Sequence, residues 1–295
     1  MIVILTALEV EHAAVLARMT GAEPHSHPAG TRFEVGGLAG RPDCRAALTL
    51  VGMGNSTAAA LAERAIAEFE PSAILFVGVA GGLHDWLHLG DIVVATKVYA
   101  YHGGRSEDKG FLVRPRAWEP SHRALQVARS LGRSGSWRDT LRGTDPRPEL
   151  HFEPIAAGEV VLDSRSSDLA QRLRDSYGDA VAVEMEGAGF AQAGHLNETI
   201  PALTIRGISD HAGGEKAVTD RVGWQSIAAR NAAAFAVALA WELDVPAEAR
   251  AARKRPEIPA IHNTNLAKDN AQVGQQTGVV IGDPQVVLHP RGGEE

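Results

Sequence analysis

Three clusters of polar or glycine-rich residues interrupt otherwise apolar runs, and each could do chemistry. In Thr6-Ala7-Leu8-Glu9-Val10-Glu11 an apolar run ends in two carboxylates. A second cluster pairs Gly52-Met53-Gly54-Asn55-Ser56 with Gly78-Val79-Ala80-Gly81-Gly82. Glycines there let backbone N–H groups approach a ligand closely. The third couples Val183-Glu184-Met185-Glu186-Gly187-Ala188 to Arg206-Gly207-Ile208-Ser209-Asp210-His211. Carboxylates beside buried strands carry a desolvation cost unless they are paired or used. Structural readings stand beside the functional ones. Acids in a first helical turn complement the helix dipole, and Glu186 with Arg206 would make an ion pair. The glycines do not form the dinucleotide fingerprint: Gly52 and Gly54 lack the third glycine, and the next apolar run ends without an acid. The P-loop pattern is absent.

The elements that would position these clusters alternate between strand-like and helical runs. Ile2 to Thr6 is a short apolar run, and Ala73 to Val77 is fully apolar, as expected of a central strand buried on both faces. Arg32 to Val35 and Arg45 to Val51 read as an antiparallel pair joined through Gly36 to Gly40. Further strands are expected at Asp91 to Val98, Ile155 to Leu162, Ala180 to Val183 and Ala202 to Ile208. Helical spacing covers Val10 to Met19, Ser56 to Phe69, Ser121 to Leu131, Asp168 to Ser176, Glu186 to Leu196 and Arg221 to Leu243. This alternation predicts an α/β domain with a largely parallel sheet. In such sheets ligands bind at the carboxyl ends of the strands, where all three clusters fall.

The chain has 295 residues, room for one large domain or two small ones at roughly 100–200 residues each. Its single cysteine, Cys44, excludes an internal disulfide and a cysteine zinc site, which fits a cytoplasmic location. A net charge of -7 argues against general nucleic-acid binding. Neither a membrane span nor a signal peptide is expected, because the apolar runs are short and the N-terminus lacks a basic region. His84 and His88 lack a third ligand, so no metal is expected, nor any other cofactor. Residues 1–244 read as one domain, 245–262 as a Pro-rich, mixed-charge linker, and 263–295 as a flexible tail. Within the tail, Asn270 to Gly282 carries no charge and is rich in β-prone residues.

Taken in order, six motifs carry a resemblance. They are Ala7-Leu8-Glu9-Val10-Glu11, Gly52-Met53-Gly54, Ala80-Gly81-Gly82-Leu83, Gly90-Asp91-Ile92-Val93-Val94, Ala182-Val183-Glu184-Met185-Glu186-Gly187-Ala188 and Ile205-Arg206-Gly207-Ile208-Ser209-Asp210. The chain resembles the purine nucleoside phosphorylase/nucleosidase family, in particular the methylthioadenosine/S-adenosylhomocysteine nucleosidases. The resemblance implies a three-layer phosphorylase-like α/β fold with a mixed central sheet flanked by helices. It also implies hydrolysis of the N-glycosidic bond of an adenine nucleoside or nucleotide. Asp210 would be the general acid at the purine, and Glu11 the carboxylate that activates water. Glu186 would hold the ribose hydroxyls and Met185 would lie under the sugar. Ser209 would orient Asp210, with Ala80, Gly81 and Arg206 also at the substrate. The backbone at Val161 and Leu162 would edge the purine. The phosphorylases of this family carry a Gly- and Arg-containing phosphate loop after the first strand. Here Glu9 and Glu11 take its place, which favours water over phosphate and leaves a phosphate-dependent phosphorylase as an alternative. The resemblance also implies a homodimer.

Two positions depart from the family pattern: Val79 stands for a serine, and Val161 for a purine-stacking aromatic. The segment 99–116 holds Arg105, Lys109, Arg114 and Arg116, which could grip a 5′-phosphate. A solvated loop is the competing reading. The uncharged tail segment resembles short amyloid-type motifs that join effector domains to bacterial immune receptors. That resemblance implies an alternative: a nucleotide-depleting effector recruited to a receptor or adaptor through 263–290.

Overall fold

The computed structural model describes residues 1–108, 110–141, 147–214 and 216–244. The expected linker and tail therefore lie outside the described residues, as does Lys109. In chain order the elements begin β1 (Ile2–Thr6), α1 (Glu9–Leu16), β2 (Met19–Ser26), β3 (Arg32–Leu38), β4 (Arg41–Leu50) and α2 (Asn55–Phe69). Next come β5 (Ala73–Gly82), β6 (Ile92–Ala100), β7 (Gly104–Glu107), β8 (Gly110–Val113), β9 (Arg116–Trp118) and α3 (His122–Ser134). The rest are β10 (Leu150–Ala157), α4 (Asp168–Ser176), β11 (Ala182–Glu184), α5 (Gly187–Leu196), β12 (Ala202–Asp210), α6 (Lys216–Val222) and α7 (Trp224–Leu243).

Period-two alternation in β1 explains the three layers. Ile2 and Ile4 pack with Val15 of α1 and with Phe235 and Leu239 of α7. Val3 and Leu5 point the other way, into a cluster with Ala58 and Ala62 of α2 and Phe190 of α5. Both faces of the central strands are thus covered by helices, so they read as unbroken apolar runs.

The sheet is mixed, in the order β11-β10-β6-β12-β5-β1-β4-β3-β2, with β9 on β6. β1, β5 and β12 run parallel, Ile2 opposite Ala73 and Ala202 opposite Ile74. Their carboxyl ends share one edge. Farther along, β5 turns, and Gly81 and Gly82 pair antiparallel with Val183 and Ala182. Because β11 also pairs with β10, the strands β5, β12, β6, β10 and β11 close into a ring.

The structure corrects several expected boundaries. β5 does not stop at Val77; Gly78 to Gly82 belong to the strand. β2 was not expected, because Met19–Ser26 is mostly exposed, polar and broken by Gly21 and Pro24. The strand expected over Ile155 to Leu162 lies at Leu150–Ala157, where a bulge at Glu153/Pro154 accommodates the proline. The closing helix expected from Arg221 is two helices, α6 and α7, joined through Gly223.

Candidate active site

The shared edge of β1, β5 and β12 opens into a cavity of about 250 Å³. Neighbouring strands lie about 4.8 Å apart, so β1 and β12 stand roughly 10 Å from each other across β5. Glu11 reaches the cavity from just after β1, and Asp210 from the end of β12.

Glu11 is the third residue of α1 and only 4% exposed. Its Oε2 accepts from the backbone N–H groups of Ala7 (2.8 Å) and Leu8 (2.9 Å). This is the helix-capping role expected of a first-turn acid. Its Oε1 turns to β5 and accepts from Val79 N–H at 2.8 Å. A carboxylate offers about four lone-pair sites, so one remains for a group in the cavity. Burial pushes the Glu11 pKa up, while Arg206 and the three backbone donors pull against it. Gly78 makes this arrangement possible: a Cβ there would sit 2.6 Å from Glu11 Oε1 and 3.0 Å from Arg206 Nη1.

Arg206, from β12, is 1% exposed and lies over the Phe76 ring at 4.2 Å. Its partner is Glu184 at the end of β11, which accepts from Nη2 at 2.7 Å and Nε at 3.3 Å. The ion pair expected between Glu186 and Arg206 is therefore corrected to Glu184 and Arg206. Glu184 also accepts from the backbone N–H groups of Glu186 and Gly187, at the start of α5. Burial works against the Arg206 charge, but Glu184, Glu11 and Glu186 outweigh it and raise its pKa.

Glu186 accepts from Gly54 N–H at 3.1 Å, which ties it to the first glycine cluster. Burial, then the charge of Glu184, push its pKa up to about 7 against the pull of Arg206. Asp210 is 3% exposed; its Oδ2 accepts from Ser209 Oγ at 3.0 Å and its Oδ1 from Ala212 N–H at 2.9 Å. Ala212 adopts φ 47°, a left-handed conformation that costs a non-glycine residue roughly 1–2 kcal/mol. The surrounding structure holds that strain where it gives Asp210 a donor.

The sequence model of the Phosphorylase superfamily matches residues 1–240. The chain belongs to the phosphorylase superfamily. Among its relatives, the 5′-methylthioadenosine/S-adenosylhomocysteine nucleosidase of Shewanella denitrificans is 28% identical over 250 residues, covering 81% of this chain and 98% of that one. The ATP nucleosidase Cap17 of Escherichia coli (strain KTE188) is 27% identical over 230 residues, covering 71% of this chain but only 45% of Cap17. Among solved structures, the methylthioadenosine/S-adenosylhomocysteine nucleosidase of Colwellia psychrerythraea 34H, in complex with adenine, superposes with a TM-score of 0.68. It is 25% identical, with 82% of this chain and 95% of that one covered.

Of the residues singled out in the sequence of this superfamily member, Glu11, Ala80, Gly81, Val161, Leu162, Met185, Glu186, Ser209 and Asp210 line one cavity. Arg206 does not; it lies behind the lining, paired with Glu184. Arg105, Arg114 and Arg116 are not brought to the cavity either. Arg105 pairs with Glu107 at 3.2 Å on the β7–β8 hairpin, and Arg114 N–H binds Gly103 O. Arg116 lines a separate groove. The sequence reading missed Leu8, Met53, Val160, Val183 and Gln225 as lining residues, and gave Glu184 no role of its own. The repeat of glutamates in Val183-Glu184-Met185-Glu186 was the available signal for Glu184, but the spacing does not say which one meets the arginine.

Proposed function

We propose that the chain hydrolyses the N-glycosidic bond of an adenine nucleoside without a 5′-phosphate, of the methylthioadenosine/S-adenosylhomocysteine type. The charge of the cavity carries this reading. Glu11, Glu184, Glu186 and Asp210 line it, and among the described residues no lysine, arginine or histidine does. Such a lining offers phosphate no cationic partner, either as an attacking nucleophile or as a 5′-substituent, and admits water.

In this reading water attacks C1′ of the ribose as the bond from C1′ to purine N9 breaks. Glu11 takes the proton from the attacking water. Asp210 gives a proton to N7 of the departing purine, so that it leaves neutral. General acid–base assistance of this kind contributes typically ~10²–10⁴-fold. Glu186 accepts hydrogen bonds from the ribose hydroxyls, Met185 lies under the sugar, and Val161 and Leu162 edge the base. Arg206 acts from behind, holding Glu184 and drawing charge onto Glu11. Exchange with solvent then resets Glu11 and Asp210. The reading puts the enzyme in the cytoplasm, with Cys44 as a buried thiol.

A second copy of the chain is proposed for the groove of about 650 Å³ between α2 and α5, where Ala59, Ala60 and the 69% exposed Leu196 leave apolar surface uncovered. Sedimentation velocity reads that state; a monomer at every concentration would contradict it. A second functional reading, favoured by the Cap17 relative, is adenine release from a nucleotide, with recruitment through 263–290. Those residues lie outside the described structure.

The test is adenine release from methylthioadenosine, adenosine, AMP and ATP, each with and without inorganic phosphate. Release from methylthioadenosine in phosphate-free buffer is expected. Release only from AMP or ATP would transfer the assignment to the second reading. Strict phosphate dependence would make the chain a phosphorylase.

A further inference from the structure

The loop after β10 and the loop before α2 meet at Asn55, whose backbone N–H donates to Glu159 Oε1 at 3.3 Å and whose side chain makes the closer contacts. Asn55 Nδ2 donates to Gly158 O at 2.7 Å and to Glu159 Oε1 at 2.9 Å, while its Oδ1 accepts from Gly189 N–H at 2.9 Å. The last bond satisfies a donor in the first turn of α5, whose own N-cap, Glu186, supplies no side-chain cap. A Cβ on Gly189 would stand 1.8 Å from Asn55 O, so α2 and α5 touch backbone to backbone here. Glu159 is anchored again on its far side, where its N–H donates to His102 Nδ1 at 3.0 Å.

Two walls of the cavity depend on this junction. Directly after Glu159 come Val160, Val161 and Leu162 on the cavity surface; directly before Asn55, Gly54 N–H holds Glu186 Oε1. We infer that Asn55 is a positioning residue that fixes the spacing between the base-side wall at Val160 to Leu162 and the ribose-side carboxylate of Glu186. It touches neither base nor sugar. Its effect is to make one rigid site of two half-sites, so a nucleoside that bridges both gains from it and a free base does not. The inference rests on the nucleosidase reading.

Kinetics of Asn55→Ala on methylthioadenosine, with free adenine as inhibitor and with the Tm measured alongside, test it. Loss of these hydrogen bonds raises KM on the order of tenfold. Inhibition by free adenine stays within about twofold, because only the linked ligand uses the fixed spacing. Rescue supplies the second arm. Asn55→Asp keeps the acceptor for Gly189 N–H but loses both donors and faces Glu159. Adding Glu159→Gln restores a donor across that gap and recovers most of the KM. If Asn55→Ala does not fold, the Asn55→Asp pair carries the test alone. An unchanged KM, parallel losses for adenine and nucleoside, or failure of the double variant to recover would each overturn the inference. Wild-type protein that turns over no nucleoside would overturn the nucleosidase reading, and the inference with it.

Discussion

At the inner end of the cavity the carboxylates are buried and their hydrogen bonds are assigned: Glu11 to three backbone donors, Glu184 to Arg206, Asp210 to Ser209 and Ala212. At the outer end Met53, Val160 and Val161 are 63%, 47% and 54% exposed. On the proposed reaction the inner end is preorganised for charge that develops as the bond breaks, in surroundings where electrostatic interactions are strong. The outer end offers apolar surface of loose shape. Chemistry and substrate choice are therefore separable here. The inner groups tolerate little change, whereas side chains at the mouth can alter what is accepted. Relatives named for methylthioadenosine and for ATP within one superfamily fit that division.

Breaking the inner end gives the largest expected effects. Glu11→Gln and Asp210→Asn each lower kcat by ~10²–10⁴-fold; Glu11→Gln also lowers Tm, because the new amide nitrogen cannot accept from the backbone N–H groups that Glu11 holds. Steady-state kinetics at saturating nucleoside check this. Arg206→Met leaves Glu184 buried and unpaired, a loss of about 3–5 kcal/mol of stability. Urea unfolding reads it, and adding Glu184→Gln, which removes the buried charge but keeps an acceptor for the N–H groups at the start of α5, should return a good part.

A smaller effect separates Glu186 from its neighbours. Its folded pKa is raised from the ordinary 4.5 to about 7. Between those values the folded protein keeps a proton that the unfolded chain has released. Stability from this group is thus fully present below pH 4.5 and falls as pH rises towards 7. Glu186→Gln should show a flatter dependence of Tm on pH over that window. The slope that remains has the same sign from Glu11, whose pKa is also raised. A steeper slope in the variant would contradict the assignment.

Sharpening the outer end gives the smaller changes. Val161→Phe places a ring at the base-side wall and adds about 0.5–1.5 kcal/mol of binding. That appears as a KM lowered several-fold with kcat unchanged. Replacing Arg105, Arg114 and Arg116 together by alanine should alter turnover of neither methylthioadenosine nor AMP, since these residues lie away from the cavity. Selective loss of AMP turnover would restore them as phosphate ligands.

The inner end was the more legible in sequence. Apolar strands that stop at Thr6 and Asp210 mark a sheet edge by pattern alone, and the resemblance then supplied the acid–base roles of Glu11 and Asp210. The three layers were implied by the resemblance, and β1, apolar from Ile2 to Leu5 and buried throughout, agrees with cover on both faces. Glycines hid the end of β5: Gly78 to Gly82 read as a loop, but at Gly78 the missing side chain makes room for Glu11 within a strand. Pro154 masked β10, since a bulge that absorbs a proline leaves no signature in the alternation. The choice of Glu184 over Glu186 for Arg206 depends on how β11 meets β5, a long-range pairing that spacing does not encode. Val160, Met53 and Gln225 were missed for a like reason: they follow β10, follow β4 and open α7, and such isolated side chains become neighbours only in the folded molecule.

The sugar product formed by wild-type protein and by Glu11→Gln, from methylthioadenosine in buffer containing inorganic phosphate, tests the central claim most directly. A water nucleophile handled by Glu11 predicts free methylthioribose and adenine from the wild type, with the rate lost in the variant. A sugar 1-phosphate from the wild type, or full turnover by Glu11→Gln, would contradict it.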